Sequence, residues 1–361
     1  METNKTFHFE MENKNFQNER NGKEKEELFM QTGAKGKNGI IENLSTFLSN
    51  YVIVLPIILL IIAWTIIAPN FMSYSNWMNI LRQVSMIAIL AAGAFFIMAT
   101  GDFDLGLASV VGITGCVFAK LIVTFGWHPA LAAVAAILLG VLTGVINGCL
   151  VTYFGIPAFI ATLGMQYIAR GLCYVVTNSY PITGLPDSIG WIGRGYLNIG
   201  GKDLIPWPVV FMILIYAVTA FVAAKTKFGR YVYAVGGNAE AAWLSGINAS
   251  QIKRAVFTLG GLAAGIVGII LVSRLSSGQP QGGTGWEFKA VIAVVMGGVS
   301  LTGGKGKPIG VALGAVFVGI LENGMTLLNI SSYYQQVVQG IVLVVAIGFD
   351  VYKSKRQAES K

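Results

Sequence analysis

The sequence predicts an all-α, polytopic membrane protein of about ten transmembrane helices with an inverted repeat. Three observations lead there. Hydrophobic residues fill 54% of the 361 positions and charged residues only 12%, against about 25% charged in an ordinary soluble domain. The apolar residues collect in runs close to the roughly 20 helical residues needed to cross a hydrocarbon core. Two of these runs, five spans apart, carry related motifs. The composition excludes a disordered chain, which needs low hydrophobicity and high charge.

Ten runs qualify as candidate spans: Tyr51–Ala68, Val84–Thr100, Leu105–Phe125, Ala130–Val151, Ala158–Thr177, Trp207–Ala224, Ala255–Ser273, Ala290–Thr302, Ile309–Leu328 and Val337–Val351. The second, eighth and tenth are short, and only Gly101–Asp104 separates the second from the third. Short, glycine-interrupted runs of this kind are expected to form broken or re-entrant helices around a translocation path. Outside the spans, residues 1–48 read as a disordered cytoplasmic tail. They are polar, with too few apolar clusters to offset the entropy of ordering, and show no signal-peptide pattern. Residues 49–355 form the transmembrane domain, with 225–254 as its longest cytoplasmic loop, and residues 356–361 a second cytoplasmic tail.

Charge sets the orientation. Residues 1–50 hold 8 acids and 7 bases, whereas the remainder holds 9 acids and 18 bases. An even number of spans puts both termini on one side. With that side cytoplasmic, 12 bases lie inside and 5 outside, the latter being Arg82, Arg194, Lys202, Arg274 and Lys289. That bias is the positive-inside pattern, so the basicity does not point to nucleic acid. Lys120 can snorkel from its span; Arg170 lies deeper and is expected to face protein or water. The related motifs are Gly144-Val-Ile-Asn147-Gly148 with Ile156-Pro-Ala-Phe, and Gly319-Ile-Leu-Glu-Asn323-Gly324 with Ile330-Ser-Ser-Tyr. An odd offset of five spans gives the two copies opposite orientation, an architecture common among transporters.

The chain carries no phosphate-binding loop of its own. Leu301-Thr-Gly-Gly-Lys-Gly-Lys-Pro308 lacks the first glycine and the Gly-Lys-Ser/Thr ending. It reads as a basic cytoplasmic turn, and no cofactor is expected to bind this chain. The 225–254 loop is more informative. Asn238 can cap a helix, Ala239–Ser245 are good helix formers, and Gly246 can end it in a left-handed conformation. A helix so short needs a surface to lie on. That surface is either the lipid headgroups or a soluble partner facing Asn238, Glu240, Ala242, Trp243, Leu244 and Gly246.

Several segments together resemble the permease subunit of ribose-type and related monosaccharide ATP-binding-cassette importers. They include Phe228-Gly-Arg-Tyr-Val-Tyr-Ala-Val-Gly-Gly-Asn238 through Leu244-Ser-Gly-Ile-Asn248, Ser273–Pro280, Ala293–Gly304, Gln335–Gly340, Gly101-Asp-Phe-Asp104-Leu and Phe159–Gly164. The resemblance covers about residues 50–355. It implies a second permease copy or a paralogue, two cytoplasmic ATPase domains and an extracellular or periplasmic sugar-binding protein, in a bacterial plasma membrane. It also implies that Asn238–Gly246 is the coupling helix seated on the ATPase. The chain departs from the family pattern at Asp102 and Gly106, where Gly-Gly-Ile-Asp-Leu-Ser is usual. It departs again at Trp243, in place of an arginine, and at Glu322, where another asparagine often precedes Asn323.

Asp102, Asp104, Asn147, Glu322 and Asn323 are the candidate pathway residues. Each has a structural alternative. Asp104 can cap the third span and Asp102 can simply be exposed. Glu322 can make an interhelical hydrogen bond, and the asparagines can join helices. The two longest outer loops, 178–206 and 274–289, carry Asp187, Trp191, Arg194, Arg274, Gln279, Gln281, Trp286 and Glu287. This mix suits a docking partner or interfacial anchoring. Cys116, Cys149 and Cys173 read as small apolar packers, and His128 is a lone loop histidine. An ATP-driven importer permease is the leading reading. An ion-coupled carrier using Asp104 or Glu322 is the alternative. A membrane enzyme lacks any nucleophile–base pair or ligand cluster.

Overall fold

The computed structural model describes residues 53–359, so the tail read over 1–48 lies outside the described residues. The chain begins with α1 (Val54–Ile67), α2 (Tyr74–Ala99), α3 (Leu107–Val123), α4 (Pro129–Thr152) and α5 (Ala158–Thr177). A 3-10 turn, Asp187–Ile189, leads into α6 (Gly190–Gly193) and an antiparallel hairpin of β1 (Tyr196–Ile199) and β2 (Lys202–Pro206). There follow α7 (Trp207–Lys225), α8 (Lys227–Gly237), α9 (Ala239–Leu244), α10 (Ala249–Leu275), α11 (Trp286–Met296), α12 (Pro308–Leu327) and α13 (Ser332–Glu359). The all-α expectation therefore holds apart from the hairpin.

Among the described residues, seven helices are long and apolar enough to cross a membrane: α2, α4, α5, α7, α10, α12 and α13. Two of the runs that looked short in the sequence are full-length helices. The helix of the second run is 26 residues long and starts at Tyr74, because its polar first turns, with Arg82, lower the hydropathy there. The helix of the tenth is 28 residues long and starts at Ser332. The eighth is short in fact, at 11 residues, and α3 has 17.

The core gathers around α2 and α10, whose central windows are 83% and 72% buried. Helix α10 packs against α2, α3 and α4. Small residues allow the close approach, since association in lipid relies on packing and hydrogen bonds. Gly140, Gly144 and Gly148 recur every fourth residue along α4 and face α10. A Cβ on Gly144 would overlap the Phe257 carbonyl oxygen, and one on Gly148 would lie 2.8 Å from Arg254 Cα.

The segment between α10 and α11 corrects the sequence reading. It was expected to project outside as a docking loop. Instead it re-enters the helix layer along α3. Cys116 Sγ donates to the Gln279 carbonyl at 3.5 Å. Cβ atoms built on Gly112 and Gly283 would lie 3.0 Å from the Gly282 carbonyl and 2.9 Å from the Ala108 carbonyl. Contacts four residues apart on α3 thus follow the segment down two turns. Irregular backbone among apolar helices needs partners within the protein, and Arg170 supplies them. Its guanidinium donates to the Pro280 carbonyl at 2.7 Å and the Gly282 carbonyl at 3.0 Å. Glu287 and Lys289 are consequently buried, and Lys289 is no outer-loop base.

Replacing Gly144 by valine is expected to force α4 off α10. The cost should exceed the ~1–3 kcal/mol of ordinary overpacking. Thermal unfolding of the detergent-solubilised protein should show a large drop in Tm. Gly164→Ala on α5, where an added Cβ meets nothing within 4 Å, should leave Tm unchanged.

Candidate functional site

The described helices have two ends. One carries the β1–β2 hairpin and the other carries α8 and α9. Helix α9 is built by local signals. Asn238 is extended, and its Oδ1 accepts from the Ala241 N–H at 2.9 Å. Gly246, at φ 81°, ends the helix; its N–H donates to the Trp243 carbonyl and the Ile247 N–H to the Ala242 carbonyl, both at 2.9 Å. Ala242 is buried, whereas Trp243 and Leu244 are 69% and 74% exposed. Glu240 is exposed in the first turn. One face of α9 therefore rests on the protein, and a large apolar pair stands off it. The next helix is capped at once, as Asn248 Oδ1 accepts from the Gln251 N–H at 3.0 Å.

Close by, the linker between α2 and α3 holds both candidate aspartates. Asp102 is not simply exposed. Its carboxylate oxygens accept from Lys253 Nζ, at the start of α10, at 3.0 and 2.9 Å. Asp104 is buried and lies two residues ahead of Gly106, which occupies the N-cap position of α3. Asp104 Oδ1 accepts from the Gly106 N–H at 2.8 Å, and Oδ2 accepts from Asn147 Nδ2 on α4 at 3.4 Å. Thr162 at the start of α5 accepts from the Leu105 N–H at 3.1 Å. This linker is thus held by α4, α5 and α10 together.

Towards the hairpin end lies a second polar set. Lys289 on α11 pairs with Glu322 on α12 at 2.6 Å, with side chains 10% and 15% exposed. Gln166 on α5 donates to Glu287 Oε1 at 3.1 Å. Asn323 and Asn76 exchange two hydrogen bonds, at 3.0 and 2.8 Å, and join α12 to the start of α2. The five pathway candidates are therefore not one cluster. Asp102, Asp104 and Asn147 lie near the α3 linker, and Glu322 and Asn323 lie on α12. Sequence reasoning missed Lys289 because its span window opens at Ala290, one residue later. Its partner Glu322 is 33 residues away.

The hairpin end is also ordered by contacts. Arg82 donates to the Arg194 carbonyl at 3.0 Å and lies 4.5 Å over the Tyr196 ring. Tyr74 donates to the Asp203 carbonyl at 2.9 Å. Trp191 packs edge-on against Trp207 at 5.3 Å, and Arg194 approaches Asp187 at 4.0 Å in an exposed pair.

Comparison with known proteins places this bundle of apolar helices among transport subunits. Residues 76–347 match the family described as branched-chain amino acid transport system / permease component. The chain is 42% identical to the ribose import permease protein of Escherichia coli (strain K12), over 81% of this chain and 91% of that one. The chain belongs to this permease family. It is 39% identical to the ribose import permease protein of Bacillus subtilis (strain 168), over 88% of this chain and 95% of that one. It is 32% identical to the xylose transport system permease protein of Escherichia coli (strain K12), over 83% and 90%. No solved structure matches it. The permease is a multi-pass membrane subunit of an ATP-driven importer, and a separate subunit hydrolyses the ATP.

The Lys289–Glu322 pair gives a direct test of what buried charge does in this permease. Lys289→Met should cost about 3–5 kcal/mol, because it strands a buried carboxylate. The double variant Lys289→Met with Glu322→Met should recover most of that loss. Thermal unfolding of both variants in detergent measures the difference.

Proposed function

We propose that this permease translocates a monosaccharide or a related small polyol delivered by an external binding protein. The relatives are named for ribose and xylose import, which supports that substrate class. In this reading two copies, or this chain and a paralogue, enclose a central path between two cytoplasmic ATPase domains. Both termini are cytoplasmic, in a bacterial inner membrane. Residues 49–355 make the permease domain and 225–254 its coupling loop. The ten spans are the seven long helices together with α1, α3 and α11. The chain itself binds no cofactor.

The observation that carries the reading is α9. A six-residue helix, capped at both ends, buries Ala242 and exposes Trp243 and Leu244. Exposed apolar side chains on so short a helix have a role if they fill a groove on a partner. Asn238, Glu240 and Gly246 fix and flank that helix, which makes it the coupling helix. Its bulky Trp243 suits an ATPase groove with room for an indole.

An inverted repeat draws support from packing. If α2–α5 correspond to α10–α13, the packed pairs exchange. α4 lies on α10 as α12 lies on α2; α3 meets α4 and α5 as α11 meets α12 and α13. In each half a polar tie joins the short helix or its lead-in to the next long helix, Asp104 to Asn147 and Lys289 to Glu322. We assign Asp102, Asp104, Asn147, Glu322 and Asn323 to the borders of the path, where they hold the short helices α3 and α11. An ion-coupled carrier is not favoured. Its coupling carboxylates would be Asp104 and Glu322, and each is already engaged, the first by backbone and amide, the second by an ammonium group.

The experiment is reconstitution in proteoliposomes with its ATPase and binding protein, followed by uptake of a sugar panel. ATP-dependent uptake of a monosaccharide is expected, and ATP-independent, proton-gradient-driven uptake would contradict the proposal. Replacing both Trp243 and Leu244 by aspartate should lower uptake by about a hundredfold, as loss of two apolar hot-spot residues implies, with Tm unchanged. Normal uptake in that variant rejects the role given to α9.

A further inference from the structure

We infer that Gly236, at the end of α8, is a positioning residue for transport: it seats α8 on backbone at Ala99, Gly303 and Gly304, so that displacement of α9 reaches the two short helices α3 and α11. The inference rests on the reading of α9 as the helix that meets the ATPase. It adds the route by which that contact is felt inside the bundle.

The route starts from both ends of α9. Upstream, Asn238 joins α9 to α8 without a spacer. Two residues earlier, a Cβ on Gly236 would overlap the Ala99 carbonyl oxygen and lie 2.5 Å from the Gly304 nitrogen. A Cβ on Gly303 would lie 2.7 Å from the Gly101 nitrogen and 2.9 Å from the Gly236 carbonyl oxygen. Three chain segments therefore meet backbone to backbone. Hydrogen bonds fasten them: the Gly304 N–H donates to the Ala99 carbonyl at 3.0 Å, and the Tyr233 hydroxyl to the Gly306 carbonyl at 2.9 Å. The 300–306 loop is itself stiffened, as the Ser300 N–H donates to the Lys305 carbonyl at 3.2 Å and the Leu301 N–H to Asp350 Oδ2 at 3.3 Å.

Downstream, α10 starts four residues after Ser245, and its Lys253 grips both oxygens of Asp102. Asp102 follows Gly101 in the same linker. The two ties thus converge on residues 101–106, which lead directly into α3. The upstream tie also engages residues 303–306, in the loop that follows α11. Side chains between packed elements can change rotamer and absorb a displacement. Backbone seated on backbone through glycine has no such slack, so close packing transmits the shift. Gly303 and Gly304 adopt φ of 80° and 75°, a conformation that other residues take only with strain, which keeps the contact free of side chains.

The test uses the permease–ATPase complex with its binding protein in proteoliposomes and reads sugar uptake per ATP hydrolysed. Gly236→Ala should lower that ratio by about tenfold, a typical coupling free energy, while the ATPase still co-purifies and hydrolyses ATP. Tyr233→Phe, which keeps the ring and removes one hydrogen bond, should lower it by about fivefold. Gly237→Ala, whose added Cβ meets nothing within 4 Å, should leave the ratio unchanged. An unchanged ratio in both Gly236→Ala and Tyr233→Phe overturns the inference. So does a proportional loss of hydrolysis and uptake in both, which is the mark of a merely structural site. If Gly236→Ala fails to assemble, the Tyr233→Phe ratio decides alone. The reading of α9 fails separately: the Trp243 and Leu244 aspartate variant would then transport normally, whatever the junction variants do.

Discussion

Backbone that leaves regular helix inside an apolar bundle finds no water, and each unpaired N–H or C=O there costs several kcal/mol. The architecture of this permease follows from meeting that requirement at two places. The α2–α3 linker takes donors and acceptors from Asp104, Thr162 and its own turn. The 276–285 segment takes the guanidinium of Arg170. The 297–307 loop, exposed at Gly298, Thr302, Lys305 and Lys307, is fastened at the α9 end by Ala99 and Tyr233. Each solution borrows a group from a distant helix, so each also ties helices together. The short helices α3 and α11 owe their placement to these loans rather than to hydropathy.

This division explains what was legible in the sequence. Long apolar runs named most helices, because burial in lipid is encoded residue by residue. Helix α9 was legible down to its ends, because Asn238 and Gly246 act within four residues of themselves. The 274–289 segment was misread as an outer loop. Its glycines and glutamines are the residues of a surface turn, and what draws it inward is an arginine 110 residues away. Asp102 looked exposed for the same reason, as its lysine lies 151 residues on. The helix starts at Tyr74 and Ser332 were missed because polar first turns depress a hydropathy window without breaking the helix.

The ionisable groups inside the bundle argue about mechanism. A carrier driven by protons needs a carboxyl that can gain and lose its proton as the path opens to each side. Glu322 sits 2.6 Å from the Lys289 ammonium group, and the two make a buried ion pair. Protonating it would leave Lys289 buried without its counter-charge. Asp104 is held by an amide and a backbone N–H instead, and both donate to it. Such groups serve better as joints than as ion relays, and a joint is what an externally powered bundle requires.

An externally powered permease has to convert a push at its surface into a change along its axis. A straight membrane helix is a poor element to move, since its backbone is paired along its full length and its packing is continuous. A short helix ending in a glycine loop is a better one, because the loop can be shifted while the helix keeps its own hydrogen bonds. Helices α3 and α11 have that form. Of the two, α11 lies between the Lys289–Glu322 pair near its first turn and the Gly303–Gly304 seat beyond its last. The pair fixes one end of α11 to α12 and the seat exposes the other to α8. A displacement at the seat would therefore pivot α11 about its charged end rather than slide it. The same reasoning applied to α3 puts its driven end at the Asp102–Lys253 contact, beside α9. In the proposed reading of α9, both short helices are thus driven from the end that carries it.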